Sequence, residues 1–188
     1  VLLDRTAERL AWDADRRRWT VTVRRGDGSE ERSTARNIVS SAPIRDLVRA
    51  LSPVPLSVFH ARALGYRDFL TVALVCRAGR ELPDNWIYIH DPAVKVGRIQ
   101  NFRSWSPEMI AASGYDCFGL EYFCFEGDGL WSSSDAELAA LAKREIAKVG
   151  LIDPDDVLDA CVVRQPKAYP VYDDDYRDNV ATVRRDLE

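Results

Sequence analysis

Residues 86–107 read WIYIHDPAVKVGRIQNFRSWSP. Two alternating stretches, NWIYIHD and VGRIQNFRS, flank the short link PAVK, and this pattern predicts an antiparallel hairpin. Trp86, Tyr88, Phe102 and Trp105 crowd around Arg98 and Arg103 on strand-like sequence. Residues alone leave two readings open. A strand arginine ringed by aromatics can grip a phosphate or carboxylate bidentately while the rings stack on a base or sugar. The same rings can equally be core, with the arginines as its snorkelling rim.

The flanking sequence makes the hairpin part of a sheet. FLTVALVCR (69–77) is a nearly continuous β-branched and apolar run, as expected of a strand covered on both faces. CFGLEYFCFEG (117–127) is a second such run with Glu121 at its centre. That carboxylate either faces out of a one-sided sheet or is buried with a partner, and alternation favours the outward position. SSSDAELAALAKREIAKVG (132–150) predicts a helix, opened by a Ser134/Glu137 capping box and stopped at Gly150. VLDACVVRQPKAYP (157–170) predicts a last strand interrupted by Pro166 and Pro170, and YDDDYRDNVATVRRDL (172–187) a second helix. Lys167, Tyr169 and Tyr172 either face a ligand or form a proline-rich corner.

Upstream, RWTVTVRR (18–25) alternates, and GDGS (26–29) supplies an Asp-Gly turn that returns the chain through EERSTARNIVSSAP (30–43). In that return strand Ile38 and Val39 are expected to enter a core, with Pro43 as the stop. IRDLVRALSP predicts a short amphipathic helix, followed by the Pro-punctuated bridge SPVPLS. The expected class is α+β: a β-hairpin or meander, then an antiparallel-rich sheet with flanking helices.

Composition limits the function. The chain has 188 residues, 46% hydrophobic and 30% charged, which suffices for an ordinary globular core. Its formal charge of −4 and pI near 5.3 arise from interspersed acids and bases without a basic stripe, so nucleic acid is not an expected partner. No apolar run approaches the ~18 residues of a bilayer span, and a cytoplasmic location is expected. Cys76, Cys117, Cys124 and Cys161 form no Cys-x-x-Cys pair and are expected as buried, reduced thiols rather than metal ligands. The abrupt opening and a terminal helix that stops in mid-pattern suggest a piece of a longer protein. No Gly-x-Gly-x-x-Gly, P-loop, His-Glu-x-x-His or nucleophile elbow occurs. Only His60 and His90 are present; His90 reads as a turn residue and His60 as a surface or hairpin-end residue.

The motifs RWTVTVRRGDG, NIVSSAP, NWIYIHDPAVKVGRIQNFRSWSP, GLEYFCFEGDGLW and PKAYPVYDDDYRDNVATVRRDLE, in this order, resemble the flavin-dependent amine oxidase and protoporphyrinogen oxidase superfamily. Within it they are most similar to UDP-galactopyranose mutase-like FAD-dependent oxidoreductases. The resemblance implies that residues 1–44 form a β-meander at the edge of the flavin domain and that 45–188 form a substrate-binding α+β domain. It implies that Arg98 lies beside the flavin and the sugar-nucleotide diphosphate, and that Tyr169 reaches the diphosphate. Trp86, Tyr88, Asn101 and Trp105 fall on the same pattern as substrate-binding candidates. The dinucleotide fingerprint and the closing part of the flavin site are missing, so FAD is expected in the full-length parent and not as a tight ligand of this chain, which alone is expected to be inactive. The resemblance implies a small-molecule substrate. The resemblance allows a redox-neutral rearrangement of a sugar nucleotide or the oxidation of an amine or other CH-donor; a non-catalytic binding module is the alternative from another class.

Overall fold

Strands β1 (Arg5–Asp13), β2 (Arg18–Arg25) and β3 (Glu30–Ala35) form an antiparallel meander. The computed structural model describes residues 1–79, 82–110 and 112–188, in two units: 1–65 with 170–188, and 66–169. The β2–β3 turn follows the Asp-Gly signal. Gly28 takes a φ of 83°, and the Asp27 carboxylate accepts from the Ser29 amide and hydroxyl at 2.9 and 2.6 Å. Trp12 and Trp19 face each other across β1 and β2, with ring centroids 5.3 Å apart. A two-residue strand, β4 (Leu51–Ser52), adds parallel to β1 and completes the order β3-β2-β1-β4.

Expectation and structure part at the end of the meander. β3 stops at Ala35, and Val39 is fully exposed rather than core. β2 is the only neighbour of β3 and begins at Arg18, with Trp19 opposite Ala35, so the ladder runs out before residues 36–40. The core of this unit lies between helices: α1 (Ile44–Ala50), α2 (Val58–Ala63) and α5 (Tyr176–Leu187) enclose Val48, Val58, Ala61 and Val183, with Ile44 packed against them. α2 is hidden in the sequence behind Pro53 and Pro55, which read as a bridge. His60 lies on α2, where its Nδ1 is 2.9 Å from the Asn179 carboxamide oxygen of α5.

The second unit is a sheet of β5 (Tyr66–Arg77), β6 (Trp86–Tyr88), β7 (Arg98–Asn101), β8 (Tyr115–Cys124) and β9 (Val157–Pro170), in the order β6-β7-β8-β5-β9. Alternation along β5 buries Leu70, Val72, Leu74 and Cys76 completely on one face. Ile99, Phe118, Leu120 and Tyr122 join them, and Leu138, Ala142 and Ile146 of α4 (Asp135–Lys148) close the core. Truncating any of the buried leucines to alanine would cost about 2–5 kcal/mol. α4 begins at the expected capping box: the Ser134 hydroxyl accepts from the Glu137 amide and the Glu137 carboxylate from the Ser134 amide.

The hairpin forms as the sequence implies, with Tyr88 opposite Arg98 and Trp86 opposite Gln100. Both strands are shorter than expected: β6 ends at Tyr88, so the link runs over 89–97, and after Asn101 the residues Phe102–Trp105 turn into one helical turn, α3. Pro166 does not interrupt β9. That strand is at the sheet edge, where a missing N–H breaks no ladder. Lys167 takes a left-handed φ of 54° and donates its amide to Asp68 Oδ1 at 2.6 Å; Asp68 Oδ2 accepts from the Glu126 amide, also at 2.6 Å. This buried carboxylate thereby fixes the corner that carries Tyr169. Among the described residues no helix is long and apolar enough to cross a membrane.

Candidate functional site: an aromatic wall around Arg98

Period-two alternation sends Arg98 and Gln100 to one face of the sheet, and Ile99 and Asn101 to the other, toward the core. Register brings Tyr88, Arg98, Glu121 and Thr71 into one row across four strands, and Trp86, Gln100, Gly119 and Ala73 into the next. Gly119 is needed there: a Cβ would stand 2.9 Å from the Phe102 ring and 3.1 Å from the Thr71 methyl.

Glu121 sits on this face, away from α4, yet its exposure is 0%. Alternation therefore gave its direction, and neighbours rather than solvent cover it. Arg98 Nε donates to Glu121 Oε2 and Gln100 Nε2 to Oε1, so both oxygens are engaged. The guanidinium carbon of Arg98 is 4.8 Å from the Trp86 ring centroid and 5.8 Å from that of Tyr88. Its Nη2 lies 3.3 Å from the Tyr169 hydroxyl. Burial opposes the Arg98 charge, but hydrogen bonds to Glu121, Tyr169 and Tyr88, together with the Glu121 charge, outweigh it and push the pKa up. The guanidinium stays charged at any ordinary pH.

The surrounding rings are open to solvent. Trp86, Tyr88 and Tyr169 are 43%, 61% and 41% exposed, whereas the Arg98 side chain keeps only 12%. Trp105 meets Trp86 edge-on at 4.8 Å and extends the wall. Four candidates from the sequence thus gather around Arg98: Trp86, Tyr88, Trp105 and Tyr169. Asn101 does not join them. It is buried on the opposite face, donating to the Leu82 carbonyl at 2.8 Å and the Ser104 hydroxyl at 3.0 Å. Arg103 also leaves the wall, paired with Asp116 beside a pocket of about 420 Å³ that Asn101 and Phe118 help to line. Three further members, Gln100, Phe69 and Phe123, went unnoticed in the sequence. Their signal was positional: Gln100 and Phe123 lie two residues along a strand from Arg98 and Glu121, and Phe69 lies directly across from Phe123.

His90 is exposed just beyond β6, and no group of three or more His, Cys, Asp or Glu among the described residues is placed to hold a metal ion. The cysteines divide. Cys76 and Cys124 are buried, Cys117 is half-buried, and Cys161 is exposed on the edge strand, contrary to the expectation that all four are buried. Burial first, and acidic neighbours after it, push Cys76 and Cys124 up to about 11. At pH 8 about one such thiol in a thousand is ionised. Iodoacetamide at pH 8 is therefore expected to alkylate Cys161 and spare Cys76 and Cys124, read by peptide mass spectrometry; equal labelling of all four would show the core is open.

The same face can be tested for a flavin dinucleotide. The left-handed glycines are Gly28, Gly114, Gly127 and Gly150, and none opens a helix with backbone amides aimed at a pyrophosphate. The described residues therefore do not seat the whole cofactor, and no chemical step is derived through it. What they offer is a charged edge and exposed rings for a ligand to lie against.

Sheet, register and helix order define an α+β fold that recurs as part of several larger proteins. The chain superimposes on a reduced UDP-galactopyranose mutase with a TM-score of 0.74 at 15% identity, over 97% of its own length and 38% of the mutase chain. A protein from Exiguobacterium sp. 255-15 assigned as a protoporphyrinogen oxidase gives 0.62 at 16% identity, over 95% of this chain and 38% of that one. A putrescine oxidase redesigned in its cofactor binding gives 0.60 at 12% identity, over 86% and 34%. The likeness is one of fold, and this chain spans little more than a third of each of those proteins. The sequence matches no family model and no curated protein.

Proposed function

We propose that this chain forms the substrate-facing wall of an FAD-dependent oxidoreductase or mutase that acts on a sugar nucleotide. The observation that supports this is the setting of Arg98, locked by Glu121 from below and framed by exposed Trp86, Tyr88 and Tyr169. Such a floor orients a ligand through stacking and hydrogen-bond donors while redox chemistry belongs to a cofactor held elsewhere. In this reading the meander within 1–44 edges the flavin-holding part, and the sheet of 66–169 carries the substrate. The domain likeness to UDP-galactopyranose mutase supports the substrate class.

A second reading has its own support. The exposed aromatic rings, beside an Arg98 charge that Glu121 neutralises, also suit an amine or another CH-donor, and putrescine oxidase shares the fold. The two separate in one experiment on the full-length protein containing this chain. Its flavin is reduced anaerobically, UDP-galactopyranose is added, and the furanose form is sought by chromatography; a parallel aerobic sample receives amines in an oxygen electrode. Furanose without oxygen uptake is the expected result. Oxygen uptake with no ring contraction would move the protein to the oxidases, and neither signal would remove both substrates.

A further inference from the structure

Arg98 is the arginine that stands out in this face, yet it brings no net charge to it. Glu121 is completely buried against it, and the pair is formally neutral. The same face holds another arginine. Arg67 is exposed near the start of β5, on the same side as Phe69 and Thr71. Its guanidinium carbon stands 5.3 Å from the Phe125 ring centroid and 5.7 Å from that of Phe123. None of the ion pairs among the described residues includes it. Its sequence neighbour Asp68 alternates to the other face, where two backbone amides occupy its oxygens.

Stacking on two rings holds a guanidinium plane while leaving its N–H edge outward. From Arg98, Arg67 is two strands across and four residues along, about 10 Å by about 13 Å in backbone spacing. The strip between them is aromatic: Phe69, Phe123 and Tyr169 lie with centroids 6.1 to 6.5 Å apart. We infer that Arg67 is the anion-binding residue of the wall, taking a phosphate-type group while an uncharged ring of the same ligand lies over the aromatic strip toward Arg98. This deepens the sugar-nucleotide reading and rests on it.

The test is calorimetric titration of the full-length protein with UDP and with uridine, each at low and at moderate salt. Arg67→Met keeps a long apolar stem over Phe123 and Phe125, and thermal unfolding checks that the fold is retained. Expected are a loss of about tenfold in UDP affinity, a flatter salt dependence and unchanged uridine binding. Arg67→Lys, which restores the charge, should recover most of the salt dependence. If Arg67→Met binds UDP as the wild type does, with the same salt dependence, this inference falls and the substrate reading stands. If the wild-type protein does not bind UDP, the reading falls and the inference with it.

Discussion

Replacing Glu121 by alanine is expected to remove about 3–5 kcal/mol of folding stability, the cost of leaving one member of a buried ion pair unmatched. Glu121 has no exposed surface and Arg98 very little, so water cannot replace the lost carboxylate. Gln100 loses its partner in the same change. Glutamine at 121 is a poor substitute. Two donors, Arg98 Nε and Gln100 Nε2, need two acceptor oxygens, and a carboxamide presents one oxygen and one donor. The informative control is the double variant Arg98→Met with Glu121→Leu, which replaces the pair by packed apolar groups and should recover most of the loss. Urea denaturation of the full-length protein measures all of them. A cost under about 1 kcal/mol for Glu121→Ala would mean that the pair is solvated, and would remove the rigid floor from the functional proposal. Arg98 gives this stability no acid dependence. A pKa raised from an already high value contributes at every pH below that value and is lost only in strong alkali.

Glu121 also marks where the sequence stopped being legible. Alternation located the strand, and with it the face: Leu120 and Tyr122 point to α4, so Glu121 must point away. Nothing in one sequence says what crosses the sheet to cover that face, because Arg98 and Gln100 arrive from 21 to 23 residues upstream through the β7–β8 register, which no local turn signal specifies. Asn101, which the structure places on the opposite face, shows the complementary limit. Adjacent to Gln100 in a motif, it was grouped with the wall, although one step along a strand reverses the side chain. α4 and the β6–β7 hairpin were legible because their signals are local: a capping box, a glycine stop, two alternating stretches close in the chain. β1 and α2 were not. β1 shows one strongly buried residue, Leu10, in nine, although its partner β2 follows directly in the chain, and α2 is a six-residue helix behind two prolines, packed against the distant α5.

A second large effect is expected from the other side of the sheet, at Glu145. This α4 carboxylate is 6% exposed, and its oxygens accept from the Lys95 and Val96 amides at 2.7 and 3.0 Å. Lys148 adds a bond to the Ala93 carbonyl at 3.1 Å. Helix and sheet thus grip the link between β6 and β7, which ends at Gly97, the residue before Arg98. Glu145→Ala strands two amides, one of them on fully packed Val96, and should cost about 3 kcal/mol. Glu145→Gln should cost nearly as much, since its NH₂ would face an amide donor. Tyr122 supplies the contrast within the same core. Its hydroxyl is buried near Glu145 with no partner at full hydrogen-bond geometry, and burial, then the Glu145 carboxylate, push its pKa up. Tyr122→Phe removes that hydroxyl with little change in packing and should fall within about 0.5 kcal/mol of wild type. Hydrogen exchange separates a local from a global effect: in Glu145→Ala the Lys95 and Val96 amides should exchange far faster while those of β5 stay protected. Ligand affinity at the wall should fall with them, because Trp86 and Tyr88 stand on the strand that the link holds in register with Arg98. Unchanged exchange at Lys95 and Val96 would show that the hairpin needs no clamp from α4, and that Arg98 owes its position to Glu121 and the rings alone.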